Sequence, residues 1–365
     1  MNNKKLLTLT VTAVVLVGLA YLSSTSKKMK APSLVGKPVL KAFDLSELSR
    51  IETRLATNDS FVLESTADGW VISSLYNYPA DMTKIRANLL KLKDLTVGHV
   101  ASDKKLEDPI LVDLQNASGK SLATLRLGKK HMRKATGQMA QFGGDQQYPD
   151  GRYVSADAKD TVVLVKETLE AFDGDPKNWI DTQITAVPAT EVCAIELTQN
   201  SKPVKLTKKE GAWTLEGLTE QEIFDNAKSY SLESALNYLN FNSIADPALT
   251  DEQLGMTTGA VFQATLTSGE RYTAKIGAAL TNSTDRYFKI QAAFTPVGTN
   301  ETQHAELAKK VETFNAKTGK WTYVISSYSA ENMTVKREAL IKAKEKEETS
   351  EKQTAEADQK AIQKD

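Results

Sequence analysis

The part of this sequence that comes nearest to a chemical site is GKKHMRKATGQMAQFGGDQQYPDGRY, residues 128–153. It places Lys129, Lys130, Arg133 and Lys134 around His131, followed by a Gly-, Gln- and Met-rich stretch too long for a plain hairpin turn. Such a cluster suits contact with an anion, a phospholipid headgroup or a partner protein, and long loops on rigid sheets often carry function. The same charges would also serve simply to stop a sheet edge from pairing with another chain. Asp145 and Asp150 flank Tyr148, but a cation held there needs more oxygen ligands than this spacing supplies.

Elsewhere the chemistry is sparse. Cys193 is the single cysteine, which excludes an intramolecular disulfide and a thiolate metal cluster. His99, His131 and His304 are too scattered to form a ligand set. There is no nucleophile elbow, phosphate-binding glycine loop, dinucleotide fingerprint or zinc-helix motif. The expectation is therefore a protein with no catalytic, cofactor-binding or metal-binding residues, and not an enzyme. Lys plus Arg equals Asp plus Glu at 46 each, so no net field steers the chain toward nucleic acid.

The elements that would position the basic cluster come in two passes. IETRL (51–55), FVLES (61–65) and the Asp68-Gly69 turn into Trp70-Val71-Ile72 read as a three-strand meander. AIELT (194–198), PVKLT (203–207) and Glu210-Gly211 before Trp213-Thr214-Leu215 repeat it. A helix follows each meander. In the first, Asp81 is an N-cap ahead of the stripe Met82, Ile85, Leu89 and Leu92. In the second, Thr219-x-x-Glu222 has capping-box spacing and Leu232, Leu236 and Leu239 form the stripe. Hairpins hinged on Ser118-Gly119 and Ser268-Gly269 come next, and the chain returns through Arg152-Tyr153 and Arg286-Tyr287. Trp70 and Trp213 then hold equivalent places, expected as structural core rather than as an aromatic binding platform. DPKNW (175–179) reads as a turn with a docking tryptophan.

At the amino terminus Lys4 and Lys5 precede an uncharged apolar run, residues 6–22. As a helix it would rise about 25 Å, near the lower limit for spanning a bilayer, and it reads as an export signal retained as an anchor. The expected fold class is α+β: an N-terminal transmembrane helix followed by two tandem homologous units, each an antiparallel β-meander, a helix and a β-hairpin. The expected divisions are an anchor at 1–26, a linker at 27–44, units at 45–185 and 186–335, and a charged tail at 336–365, helical or disordered.

The IETRL strand, the Asp68-Gly69-Trp70 turn, the DMTKIRANLLKL helix, LEDP (106–109) and LRLGKK (125–130) together resemble the bacterial domain-of-unknown-function 4340 family. The resemblance covers about residues 45–200, with a weaker second pass to about 335. It implies an inner-membrane, single-pass protein with its body in the periplasm, often encoded beside an ABC-type permease and a gliding-motility-type transporter auxiliary protein. It assigns no catalytic residue. The function expected on this basis is a non-catalytic accessory or scaffold role in an ABC-type envelope transport system, with a membrane-protein partner. The alternative is a lipid- or glycan-binding module that uses the cleft between repeats or the 128–153 loop.

Overall fold

The period-two alternation of IETRL is that of a strand with one face in a core: Ile51 and Thr53 are fully buried while Arg54 is exposed. The computed structural model describes residues 34–57, 60–135, 147–157, 160–199 and 202–344. They form a mixed α+β protein, mostly sheet with few helices. The apolar run 6–22 lies outside the described residues; among those described, no helix is long and apolar enough to cross a membrane. Two compact units divide the chain between Ile180 and Asp181.

The first unit contains β1 (Leu48–Arg54), β2 (Ser60–Thr66), β3 (Gly69–Ile72), β4 (Tyr78–Pro79), β5 (His99–Val100), β6 (Ile110–Asn116), β7 (Ser121–Lys134), β8 (Gln147–Ala156) and β9 (Val163–Val165). They make one sheet in the order β4-β3-β2-β1-β6-β7-β8-β9-β5. Helix α1 (Met82–Lys93) lays Ile85, Leu89 and Leu92 into the core, and the Asp81 carboxylate caps it by accepting from the Thr83 and Lys84 amides. Its first expected contact, Met82, instead stays exposed. Trp179 of the DPKNW turn is completely buried, edge-on to Phe172, and donates from Nε1 to the Ala171 carbonyl at 2.8 Å. The stretch expected as linker ends sooner than 44, because Val39 and Leu40 are buried and Val39 N–H donates to the Leu95 carbonyl.

The second unit contains β10 (Gln183–Thr185), β11 (Val192–Gln199), β12 (Lys202–Lys209), β13 (Ala212–Leu215), β14 (Glu222–Phe224), β15 (Leu239–Asn240), β16 (Ser243–Ile244), β17 (Ala260–Leu266), β18 (Glu270–Ala279), β19 (Arg286–Phe294), β20 (Tyr323–Ile325) and β21 (Ile341–Ala343). The main sheet runs β13-β12-β11-β17-β18-β19-β20-β16, and β10 with β15 and β14 with β21 form small ribbons. The Glu210-Gly211 turn has φ of 50° and 86°, the doubly left-handed two-residue loop that suits a twisted hairpin.

Helix formation differs from expectation here. Glu222 does accept from the Thr219 amide at 3.1 Å, yet it opens a strand rather than a helix. The leucine stripe is divided between α2 (Ser229–Glu233), a turn and β15, although Leu232, Leu236 and Leu239 are all buried. The longest helix among the described residues, α3 (Glu301–Thr318), lies between β19 and β20. Its Asn315 amide accepts from the Ala292 N–H and donates to the Ala292 carbonyl, both at 2.8 Å. It thus completes the edge of β19 where β20 does not reach, since β20 pairs only with Arg286, Tyr287 and Phe288. A short helix α4 (Ser327–Glu331) follows β20. The segment expected to be tail from 336 onward is built into this unit as far as β21, with Leu340 completely buried; residues 345–365 lie outside the described residues.

Candidate functional site

The basic cluster sits not on a loop but on the distal half of β7. Gly128 and Lys129 form a bulge there, because register passes directly from Leu127 opposite Val154 to Lys130 opposite Arg152. A Cβ at position 128 would lie 2.5 Å from Leu106 Cδ2 and 3.2 Å from the Tyr153 carbonyl, so glycine lets the Leu106 side chain pack directly on the bulge. Across the bulge the Arg152 side chain, only 4% exposed, donates from Nε to the Gly128 carbonyl at 2.8 Å. Its Nη1 reaches Asp173 Oδ1 at 2.5 Å and the Thr168 carbonyl at 3.3 Å. Arg152 is the anchor of this region, and Asp173 is its counter-charge.

Beyond the anchor, β7 and β8 leave the sheet. β6 ends its pairing with β7 at Leu127, and β9 pairs with β8 only over Arg152–Val154. His131–Lys134 and Gln147–Gly151 therefore pair with each other alone, as a two-stranded ribbon. Such a ribbon is marginal in water without support, and its charges supply some. His131 Nδ1 lies 2.5 Å from Asp150 Oδ1, and Arg133 Nη1 lies 3.5 Å from Asp150 Oδ2. The hydrogen bond from His131, with the charges of His131 and Arg133, holds the Asp150 carboxyl below its ordinary pKa. Lys130 is paired with Asp173 at 2.9 Å and Glu170 at 3.3 Å, and Lys129 with Glu107 at 2.9 Å. Lys134 is exposed near the ribbon's end.

This arrangement changes the chemistry expected of the cluster. Four of its five groups already have acidic neighbours, so it is a mixed-charge surface rather than a bare cationic patch. Asp150 is occupied by His131 and Arg133, and Asp145 lies outside the described residues. What the ribbon offers instead is apolar: Met132 is 46% exposed and Tyr148 37%. In sequence neither residue stands out, because the exposure follows from the ribbon's departure from the sheet.

Trp70 and Trp213 occupy matching hairpin positions, opposite Ser65 and Lys208 respectively, each on the same strand face as a buried neighbour, Ile72 or Leu215. Trp213 is 6% exposed and donates from Nε1 to Glu233 Oε1 at 2.5 Å, with the Lys208 ammonium 5.5 Å from its ring. Trp70 is half-buried. Cys193 is half-buried with its thiol 3.4 Å from the Thr265 carbonyl. Among the described residues no group of three or more His, Cys, Asp or Glu side chains is arranged to hold a metal ion.

The second unit has a counterpart of the arginine anchor without the ribbon. Register passes from Ile276 opposite Phe288 to Ala279 opposite Arg286, and Arg286 Nε donates to the Gly277 carbonyl at 2.8 Å. There the pairing of β18 with β19 stops at Arg286.

No curated protein and no solved structure matches the chain. A family model does, over residues 70–257, more than half of the 365. The match takes in the tryptophan of β3, all of α1, the bulge with its anchoring arginine, the mixed-charge ribbon and the second meander through Trp213. The chain belongs to the family described as Domain of unknown function (DUF4340).

Proposed function

We propose that this protein is a non-catalytic accessory subunit of an ABC-type envelope transport system, anchored in the inner membrane by residues 6–22 with its body in the periplasm. The observation that carries the reading is the β7–β8 ribbon. It extends a strand pair past its sheet, stabilises the extension with ion pairs, and presents Met132 and Tyr148 to solvent. Met132 stands opposite Pro149 and Tyr148 opposite Arg133, so the two apolar side chains occupy opposite faces of the ribbon, and each beside charge suits a partner that grips the arm from both sides. An arm of this kind suits a membrane-protein partner such as a permease better than it suits catalysis.

The two units are read as tandem copies of one ancestral fold. Support comes from the common strand order of the two main sheets and from the arginine-on-glycine bulge that recurs in each. On that reading the copies have diverged in use: one extended β7 and β8, the other inserted α3.

Co-purification from native membranes in mild detergent tests the role. The expected result is recovery of a permease subunit with the wild-type chain and at least tenfold less with the Met132→Glu/Tyr148→Glu pair, since charge at a docking centre is strongly unfavourable. Equal recovery with both chains would remove the ribbon from the reading.

A further inference from the structure

The second unit carries a groove that nothing above uses. It has a volume of about 330 Å³ and lies among Asp246, Leu249, Thr273, Lys275, Lys320 and Trp321, with Lys289 and Gln291 beside them, so three ammonium groups and one carboxylate line it. Thr273, Lys275, Lys289 and Gln291 belong to the face of β18 and β19 opposite the core face, which holds Tyr272, Ala274, Phe288 and Ile290.

Its floor contains an arrangement that folding alone does not favour. Lys275 and Lys289 are direct cross-strand partners, and like charges in that relation are destabilising. Asp251 offsets the repulsion in part: it is 2.6 Å from the Lys289 ammonium. The hydrogen bond and charge of Lys289, with a contribution from Lys275, hold the Asp251 carboxyl below its ordinary pKa. Lys320 adds a third cation to the groove's lining. Among the described residues neither Lys275 nor Lys320 takes part in an ion pair. The corresponding strand pair of the first unit, two residues before the bulge glycine, is Arg126 opposite Ser155, joined by a hydrogen bond. The sheet is therefore built there without a like-charge pair.

We infer that this groove binds a small acidic saccharide, a sugar ring bearing one phosphate or carboxylate group. Lys275 and Lys320 supply charge-assisted hydrogen bonds to the anion. Thr273 and Gln291 supply neutral donors and acceptors of the kind that read hydroxyl groups, and the half-buried Trp321 supplies a flat wall for the ring's C–H face. The volume is at the lower end of the range for small-molecule sites, which fits roughly one or two rings. The site is independent of the ribbon and of the transport role.

Calorimetric titration of the full-length chain with glucose 6-phosphate, glucuronate, glucose and inorganic phosphate tests it. The expected outcome is saturable one-site binding of at least one acidic sugar, with phosphate and glucose each weaker by about tenfold or more, roughly 1.4 kcal/mol. Lys275→Gln and Lys320→Gln should each weaken the acidic sugar by about tenfold, and Trp321→Ala should weaken it while leaving affinity for phosphate unchanged. Lys320 is exposed, so its variant keeps the fold, which a melting curve checks. Phosphate binding as tightly as glucose 6-phosphate, or indifference to Trp321→Ala, would overturn the saccharide assignment. Absence of saturable binding by both acidic sugars up to about 10 mM, a binding free energy weaker than about −3 kcal/mol, would overturn the site.

Discussion

Arg152 holds the carbonyl of Gly128 across a bulge, Nε to O at 2.8 Å, from a side chain that is almost completely buried. One guanidinium thereby closes the break that the bulge makes in the β7–β8 ladder, and through Asp173 it ties the ladder to the Glu170–Phe172 turn. Where the sheet ends and the ribbon begins is set by this contact.

Removing it should be costly. Arg152→Ala leaves the Gly128 and Thr168 carbonyls without their donor and the Asp173 carboxylate with Lys130 alone, a loss of about 3 kcal/mol, the upper end for hydrogen bonds that involve charge. Arg152→Lys should not restore the loss, because an ammonium cannot span the same fork. Urea denaturation measures both variants. Arg286→Ala, at a half-buried site with the Gly277 carbonyl as its partner, should cost about 1–2 kcal/mol. Equal costs at the two sites would mean that burial is not what gives Arg152 its weight.

The glycines beneath these arginines are predicted to resist even a methyl group. A Cβ at position 277 would lie 2.3 Å from the Leu254 carbonyl. Since that obstacle is backbone, Gly277→Ala must shift the Gly255 turn and should cost about 1–3 kcal/mol. At Gly128 the obstacle is a leucine methyl, which can rotate. Gly128→Ala should be the milder of the two by thermal denaturation, and the reverse order would contradict this account of the bulges.

Asn315 stands in for a missing strand. Asn315→Ala leaves the Ala292 N–H and carbonyl without their partner, a loss of about 1–3 kcal/mol, and opens the edge of β19 to pairing. The variant should melt lower and elute from size exclusion with an added dimer or aggregate fraction. A monomeric variant of wild-type stability would show that α3 does not protect this edge.

The ribbon formed by β14 and β21 should loosen in acid. Hydrogen bonds from Arg337 hold the Glu222 carboxyl below its ordinary pKa, and the bond from Lys342 does the same for Asp225. A depressed folded-state pKa means that these pairs stabilise the native state at neutral pH. That stabilisation fades as pH falls below the free-carboxylate range, about pH 4, through the lower folded values. Hydrogen exchange, corrected for its intrinsic pH dependence, should show the amides of Ile341–Ala343 losing protection in that window ahead of β17 and β18. Arg337→Ala should produce the same loss at pH 7. Protection unchanged down to pH 3 would separate the ribbon from its ion pairs.

Much of the fold was readable because long elements impose a period. Ile51 and Thr53 alternate with charged neighbours, and Ile85, Leu89 and Leu92 recur at helical spacing, so β1 and α1 lie where those patterns put them. Gly119 and Gly269 mark their hairpin turns with φ of 78° and 97°. Elements of two or three residues carry no period, so the spacing of Thr219 and Glu222 predicts a helix start where β14 lies, and the polar composition predicts tail where β21 lies. The basic cluster was visible as charge, but its partners Glu107, Glu170 and Asp173 are 22 to 43 residues away and are brought in by the fold. Exposure at Met132 and Tyr148 depends on where neighbouring strands stop, and no local pattern records that.

The docking role rests on the distal ribbon touching a membrane protein. Photo-crosslinking in native membranes, with the reactive side chain at position 132 or 148 and at exposed Tyr328 of the second unit as control, tests this most directly. The account predicts one discrete adduct with a permease subunit from 132 and 148 and none from 328. No adduct from either ribbon position, or the same adduct from all three, would contradict it.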